Sequence, residues 1–240
     1  DSDRPQDGHL LTPDLVARLH ARVLEQLLDR LGAGRIDPAC PTIEYPRAVA
    51  VGHSMGAMIA VWQQARWQQF EALALLGFGT DGLPVFLPPA ARELMPDSAA
   101  LRAALPELAR QMFPAPYPQV GGAGDGGQLF GSKQAEPAAV AALNAVRDGL
   151  LPQPAMLSMV PDNVAPEAAK ITVPILLVLG ERDLVAAPVE SAAIYPESPE
   201  VQVLDLPATG HSHFLFASRD RLFEGLSDWA NKLTTMGVEA

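Results

Sequence analysis

The stretch Ala48-Val49-Ala50-Val51-Gly52-His53-Ser54-Met55-Gly56 decides how this chain folds. Four apolar residues in a row suit a short strand buried on both faces. They run straight into Gly-x-Ser-x-Gly, and the chain then reads as a helix to about Gln69. Strand, sharp turn and helix form the setting in which this pentapeptide presents a serine as a nucleophile. So tight a turn strains the backbone at its centre, and small neighbours are expected at Gly52 and Gly56. Ser54 then stands above the strand end at a helix N-terminus, where backbone N–H groups and the positive end of the helix dipole converge. The Met55 N–H is the expected donor to an oxyanion forming there.

Three further apolar runs read as parallel strands: Ala72–Leu76, Ile175–Leu179 and Val201–Leu206. Helical patterns alternate with them. From Pro13 to Leu31, apolar residues recur every three or four positions, with Thr12 as N-cap and Gly32 as the stop. Pro188–Tyr195 and Arg221–Leu233 read as two more helices. Strands alternating with helices predict an α/β fold. Between Gly79 and about Lys170 a series of prolines, Pro106 among them, breaks the pattern into short helical pieces. That region reads as a helical cap, residues 80–170, over a core of residues 1–79 and 171–240. Its glycine-rich run, Gly121–Gly127, lacks the preceding strand and the Lys-Ser/Thr ending of a phosphate-binding loop.

A serine hydroxyl needs a base, and the base needs an orienting acid. In a fold of this kind they follow in the order Ser, Asp/Glu, His. His211, in Pro207-Ala208-Thr209-Gly210-His211, lies just past the last strand, on the edge where parallel sheets build their sites. His213 is the reserve. His9 and His20 precede the nucleophile in a segment that reads as helical and exposed, and His53 is too close to Ser54 to serve as its base. Asp183 follows the third strand in Gly180-Glu181-Arg182-Asp183, and a helix and a strand separate it from His211. Neighbouring strands lie about 4.8 Å apart, so the two side chains can meet across strand ends. Asp81, just past Ala72–Leu76, is the competing acid.

The 240 residues carry a net charge of −11, which repels phosphate backbones and argues against nucleic acid as a partner. The single cysteine, Cys40, excludes an intrachain disulfide and offers no thiolate set for zinc. No run approaches the roughly 20 apolar residues that span a bilayer. The expected partner is a small acyl substrate, with no metal and no cofactor, in a cytoplasmic protein. His53, Phe78 and Phe86 are candidates for the substrate pocket, Met95, Met112 and Phe113 for its apolar wall.

Gly-His-Ser-Met-Gly after a valine-rich strand, Val-Pro-Ile-Leu-Leu-Val-Leu-Gly-Glu-Arg-Asp and Pro-Ala-Thr-Gly-His together resemble the α/β-hydrolase superfamily. The resemblance implies Ser54 as nucleophile, Asp183 as acid and His211 as base, in an esterase or thioesterase. The same triad also serves carbon–carbon hydrolases, lyases and cofactor-free perhydrolases, and the fold hosts binding modules without catalysis. A serine at the elbow argues against the haloalkane dehalogenase and epoxide hydrolase branches. The opening Asp1-Ser2-Asp3-Arg4-Pro5 resembles the loop after that family's fourth strand. The family's first strands, and the His-Gly-type loop that gives the second oxyanion N–H, therefore have no counterpart here, as expected of a piece of a longer enzyme. Their loss would leave the Ala48–Val51 strand with an apolar edge.

Overall fold

The structure, a computed structural model, describes residues 3–119, 134–146, 148–185 and 192–236, with side chains of the last helix to 233. The glycine-rich run at 121–127 and the start of the helix expected from Pro188 lie outside the described residues. Four strands form one parallel sheet in the order β1 (Val49–His53), β2 (Ala72–Leu76), β3 (Ile175–Arg182), β4 (Val201–Gly210). Parallel neighbours require crossovers. Helix α2 (Met55–Trp67) makes the first of them, and residues 77–174, helical in much of their described part, separate β2 from β3.

Alternation along the central strands sorts side chains into two layers. Leu73, Leu75, Ile175 and Leu177 enter one core with Val16 and Ala17 of α1 (Pro13–Gly32) and Ala57, Met58 and Val61 of α2. Ala72, Ala74, Leu76, Leu176 and Val178 enter the other, against Leu222 and Trp229 of the last helix, α8 (Arg219–Met236). Each fully buried leucine contributes about 1.5–3 kcal/mol of apolar burial. Thr12 caps α1 by accepting the Leu15 N–H at 3.1 Å. Burial on both faces holds for β2 and for the first five residues of β3. It fails for both edge strands: in β1 Val49 and Val51 are exposed and only Ala50 and Gly52 face the core, and in β4 Leu206 alone is buried between Val201 and Leu206.

The segment between β2 and β3 is helical: α3 (Pro89–Leu94), α4 (Ser98–Met112), α5 (Pro137–Ala145), α6 (Pro152–Ser158) and α7 (Ala165–Ala168). Pro106 does not break its helix, contrary to expectation; α4 runs through it for 15 residues. Asp97 caps that helix on the Ala100 N–H. Leu101, Leu105, Leu108 and Ala109 bury one stripe against the same core as the sheet, and this packing outweighs the single backbone hydrogen bond that proline forfeits. Arg102 ties the segment down. It forks onto both oxygens of Glu167 at 3.0 and 2.8 Å, donates to the Asn163 carbonyl at 2.6 Å and covers the ring of Trp62 in α2.

The two glycines of the elbow are not equivalent. A Cβ at Gly52 would lie 2.6 Å from the Ala57 Cα and 2.8 Å from the Gly56 carbonyl oxygen, so strand and helix touch backbone to backbone there. A Cβ at Gly56 would meet nothing within 4 Å. Gly52→Ala is therefore expected to cost about 3 kcal/mol or more in stability through overpacking. Gly56→Ala, in the first turn of α2, should leave stability unchanged or raise it by up to about 1 kcal/mol. Denaturant unfolding of both variants checks this, and equal losses would contradict it.

Candidate active site

Ser54 occupies the left-handed region, with φ 53° and ψ −123°. For a residue with a Cβ this costs about 1–3 kcal/mol and persists only where surroundings enforce it. The enforcement is visible: its N–H donates to the Leu76 carbonyl at 2.8 Å, which fastens the turn to the end of β2. Its hydroxyl makes no capping bond to its own helix. It faces His211 instead, with Oγ 2.8 Å from Nε2. His211 Nδ1 lies 2.7 Å from Asp183 Oδ1. A carboxylate only accepts, so Nδ1 carries the hydrogen, and Nε2 is left to accept from the serine.

Strand order explains how residues so far apart in sequence meet. Asp183 follows β3, and His211 follows β4, its neighbour. The ladder between them is irregular between Gly180 and Arg182, and β4 passes so close that a Cβ on Gly180 would come 2.4 Å from the Thr209 carbonyl oxygen. To reach Ser54 on β1, His211 must then cross the end of β2. Gly77 clears the way: at φ +57° its missing Cβ would lie 3.2 Å from His211 Nδ1 and 3.3 Å from His53 Nε2. Gly77 was not singled out from the sequence, although a glycine directly after Ala72–Leu76 was its signal.

The Asp183 side chain is buried, yet both of its oxygens are satisfied. Oδ1 accepts from His211 Nδ1 and, at 2.7 Å, from the Leu184 N–H. Oδ2 accepts from His213 Nε2 at 2.7 Å and more distantly from the Gly180 N–H at 3.3 Å. Burial pushes the carboxyl pKa up, but the hydrogen bonds donated by His211 and His213 more than offset it and hold Asp183 well below the usual carboxylate range. The competing Asp81 sits exposed on the turn after β2, and Glu181 is engaged by the Ala208 N–H.

A cavity of about 430 Å³ opens from Ser54 and His211. Phe78, Leu83, Phe86, Met112, Phe113 and Met159 give its wall an apolar lining, and among the described residues no aspartate, glutamate, lysine or arginine lines it. Met55 borders it as the first residue of α2, so its N–H has no partner within the helix. Met95 packs on the core rather than the cavity. His9, expected to be exposed, is buried and steadies Phe113, with Nε2 2.8 Å from its carbonyl oxygen and Nδ1 on Asp7.

His53 does not line this cavity, which corrects its placement in the substrate pocket. Side chains alternate along β1, and His53 leaves it on a different side from Ser54. Its ring packs behind that of His211, 5.0 Å between centroids, and Nε2 donates to the His211 carbonyl at 2.7 Å. Burial, then the neighbouring charge of His211, lowers the His53 pKa to about 4. In an unfolded chain the same imidazole takes a proton near pH 6.5. Below that pH the unfolded state binds the extra proton, so this stabilisation is full above about 6.5 and is lost as pH falls toward 4. The loss should reach about 2 kcal/mol at pH 5. Unfolding of wild type and His53→Gln between pH 7 and 5 checks it: the variant, which keeps a donor to His211, should show the flatter dependence, and parallel curves would contradict the assignment.

A sequence profile of the alpha/beta hydrolase family matches residues 2–224. No curated protein sequence matches the chain. Among solved structures it is similar to a monoacylglycerol lipase from Paleococcus ferrophilus, at 14% identity and a TM-score of 0.59 over 90% of this chain and 76% of that one. It is also similar to a carboxylesterase from the thaumarchaeon Nitrososphaera gargenis, at 14% identity and 0.57 over 97% and 79%. A thermophilic esterase from Thermogutta terrifontis aligns at 18% identity and 0.51 over 93% and 73%. At these identities the likeness is one of fold. With the matched sequence, the parallel sheet and the serine at the strand-to-helix elbow in hand, the chain belongs to the alpha/beta hydrolase family.

Proposed function

We propose that the chain is a serine hydrolase that cleaves carboxylic esters or thioesters of uncharged, apolar acyl groups through an acyl-enzyme at Ser54. The observation that carries this reading is the unbroken run from Ser54 Oγ to His211 to Asp183, at 2.8 and 2.7 Å, opening onto an apolar cavity. As the Ser54 oxygen attacks the carbonyl carbon, His211 Nε2 takes its proton, and Asp183 stabilises the imidazolium. The Met55 N–H donates to the oxyanion. His211 then returns the proton to the departing alcohol or thiol, and water repeats the sequence on the acyl-enzyme to release the acid. Asp183, held ionised, needs no proton in this cycle.

The cavity supports the substrate class. An acyl chain buries its surface there, whereas a carboxylate would lose its water against side chains that give it no partner. Residues 80–170 act in this reading as a cap over the core of residues 1–79 and 171–240, since their helices carry much of the apolar wall.

Steady-state hydrolysis of p-nitrophenyl hexanoate tests the proposal, with p-nitrophenyl hydrogen succinate as the charged competitor. The hexanoate ester should turn over, and Ser54→Ala and His211→Ala should each lower kcat at least about a thousandfold. The succinate ester should fall about a hundredfold or more in kcat/KM. Unchanged turnover in Ser54→Ala would overturn the mechanism, and equal use of both esters would overturn the substrate class.

A further inference from the structure

His213 is among the most completely buried polar residues of the described chain, and the cycle above does not use it. It lies two residues beyond His211 and opens the short turn His213–Leu215, where its N–H donates to the His211 carbonyl at 3.0 Å. That turn aims its ring back at the same carboxylate His211 uses, from the opposite side. His211 holds Oδ1, and His213 holds Oδ2, each at 2.7 Å. The carboxylate requires that His213 Nε2 carry the hydrogen; its Nδ1 has no hydrogen-bond partner among the described residues.

From this arrangement we infer that His213 is a positioning residue of the active site, donating from Nε2 to Asp183 Oδ2 so that Oδ1 stays aimed at His211. This rests on the reading of Ser54, His211 and Asp183 given above. The carboxylate can turn about its bond to Cβ. Leu184 N–H braces Oδ1 at 2.7 Å, but without His213 the other oxygen keeps only the Gly180 N–H at 3.3 Å. A buried carboxylate short of a donor is a stronger proton acceptor and is less firmly oriented. Both effects reach Ser54 through His211: the imidazole holds its own proton more tightly and sits less squarely on the hydroxyl. The titratable side chains that meet here are Asp183, His211, His213 and, behind His211, His53. His213 does not line the cavity and reaches the line of hydrogen bonds at the Asp183 carboxylate, so its effect is exerted through Asp183.

The test compares two neutral amides at one position. His213→Gln places its N–H₂ about where Nε2 lies, while the shorter side chain of His213→Asn stops short of Asp183. Against p-nitrophenyl hexanoate, His213→Asn should lose about tenfold in kcat with little change in KM, and the acid limb of its kcat/KM profile should move to higher pH. His213→Gln should stay within about threefold of wild type and keep the wild-type limb. The downfield imidazole N–H signal of the His211–Asp183 bond should shift in the Asn protein and hold in the Gln protein. Equal behaviour of the two variants in rate, profile and spectrum overturns the inference. A wild-type protein that does not hydrolyse the ester overturns the reading of Ser54 instead, and the spectra of the two variants still decide whether His213 governs the His211–Asp183 bond.

Discussion

A buried negative charge organises the candidate active site. The Asp183 side chain is 2% exposed, and an ionised carboxylate so placed is tolerable only when its lone pairs are met. Two imidazoles and two backbone N–H groups meet them. That demand sets the path of the chain around the site: the turn after Gly180 folds back so that its own amides face the carboxylate, and the segment after β4 delivers His211 and His213 to it from two sides. The orientation of the base that faces Ser54 follows from where this charge sits.

The opposite side of the site is fixed by space rather than charge. Ser54 holds a strained conformation because the Gly52 backbone lies against Ala57 and because the Ser54 N–H is fastened to Leu76. Gly77 leaves room for the His211 ring, which a Cβ there would crowd at Nδ1 and Cε1. Three strands thus contribute to one line of hydrogen bonds, and the sheet beneath, with Leu73, Leu75, Leu177 and Val178 fully enclosed, gives that line a rigid base.

The features legible in the sequence are those carried by neighbouring residues. Ala72–Leu76 matches the observed β2 to the residue, and the Thr12 cap and the strand–turn–helix at Ser54 are local patterns with local causes. Asp183 and His211 are candidates because each lies a few residues past an apolar run, at a strand's carboxyl end. What escaped depends on packing between distant segments. The outward faces of Val49 and Val51 follow from the place of β1 at the sheet edge, which no apolar count reveals. Pro106 sits inside a helix because its stripe of leucines is buried by partners remote in sequence. His9 is buried by the Phe113 region, and His53 turns from the cavity toward His211. The motif suggests a steric role for both glycines, but of the two only Gly52 is crowded, since a motif shows which residues recur and not which of them is packed.

In the proposed mechanism His211 and Asp183 make the Ser54 hydroxyl a nucleophile. Intact mass before and after treatment with a fluorophosphonate, followed by peptide mapping, tests it most directly, because only an activated serine reacts rapidly with that reagent. A single adduct on the peptide containing Ser54 is expected, and none in His211→Ala. A folded wild-type protein that takes no label, or an adduct on Ser54 that forms just as fast without His211, would contradict it.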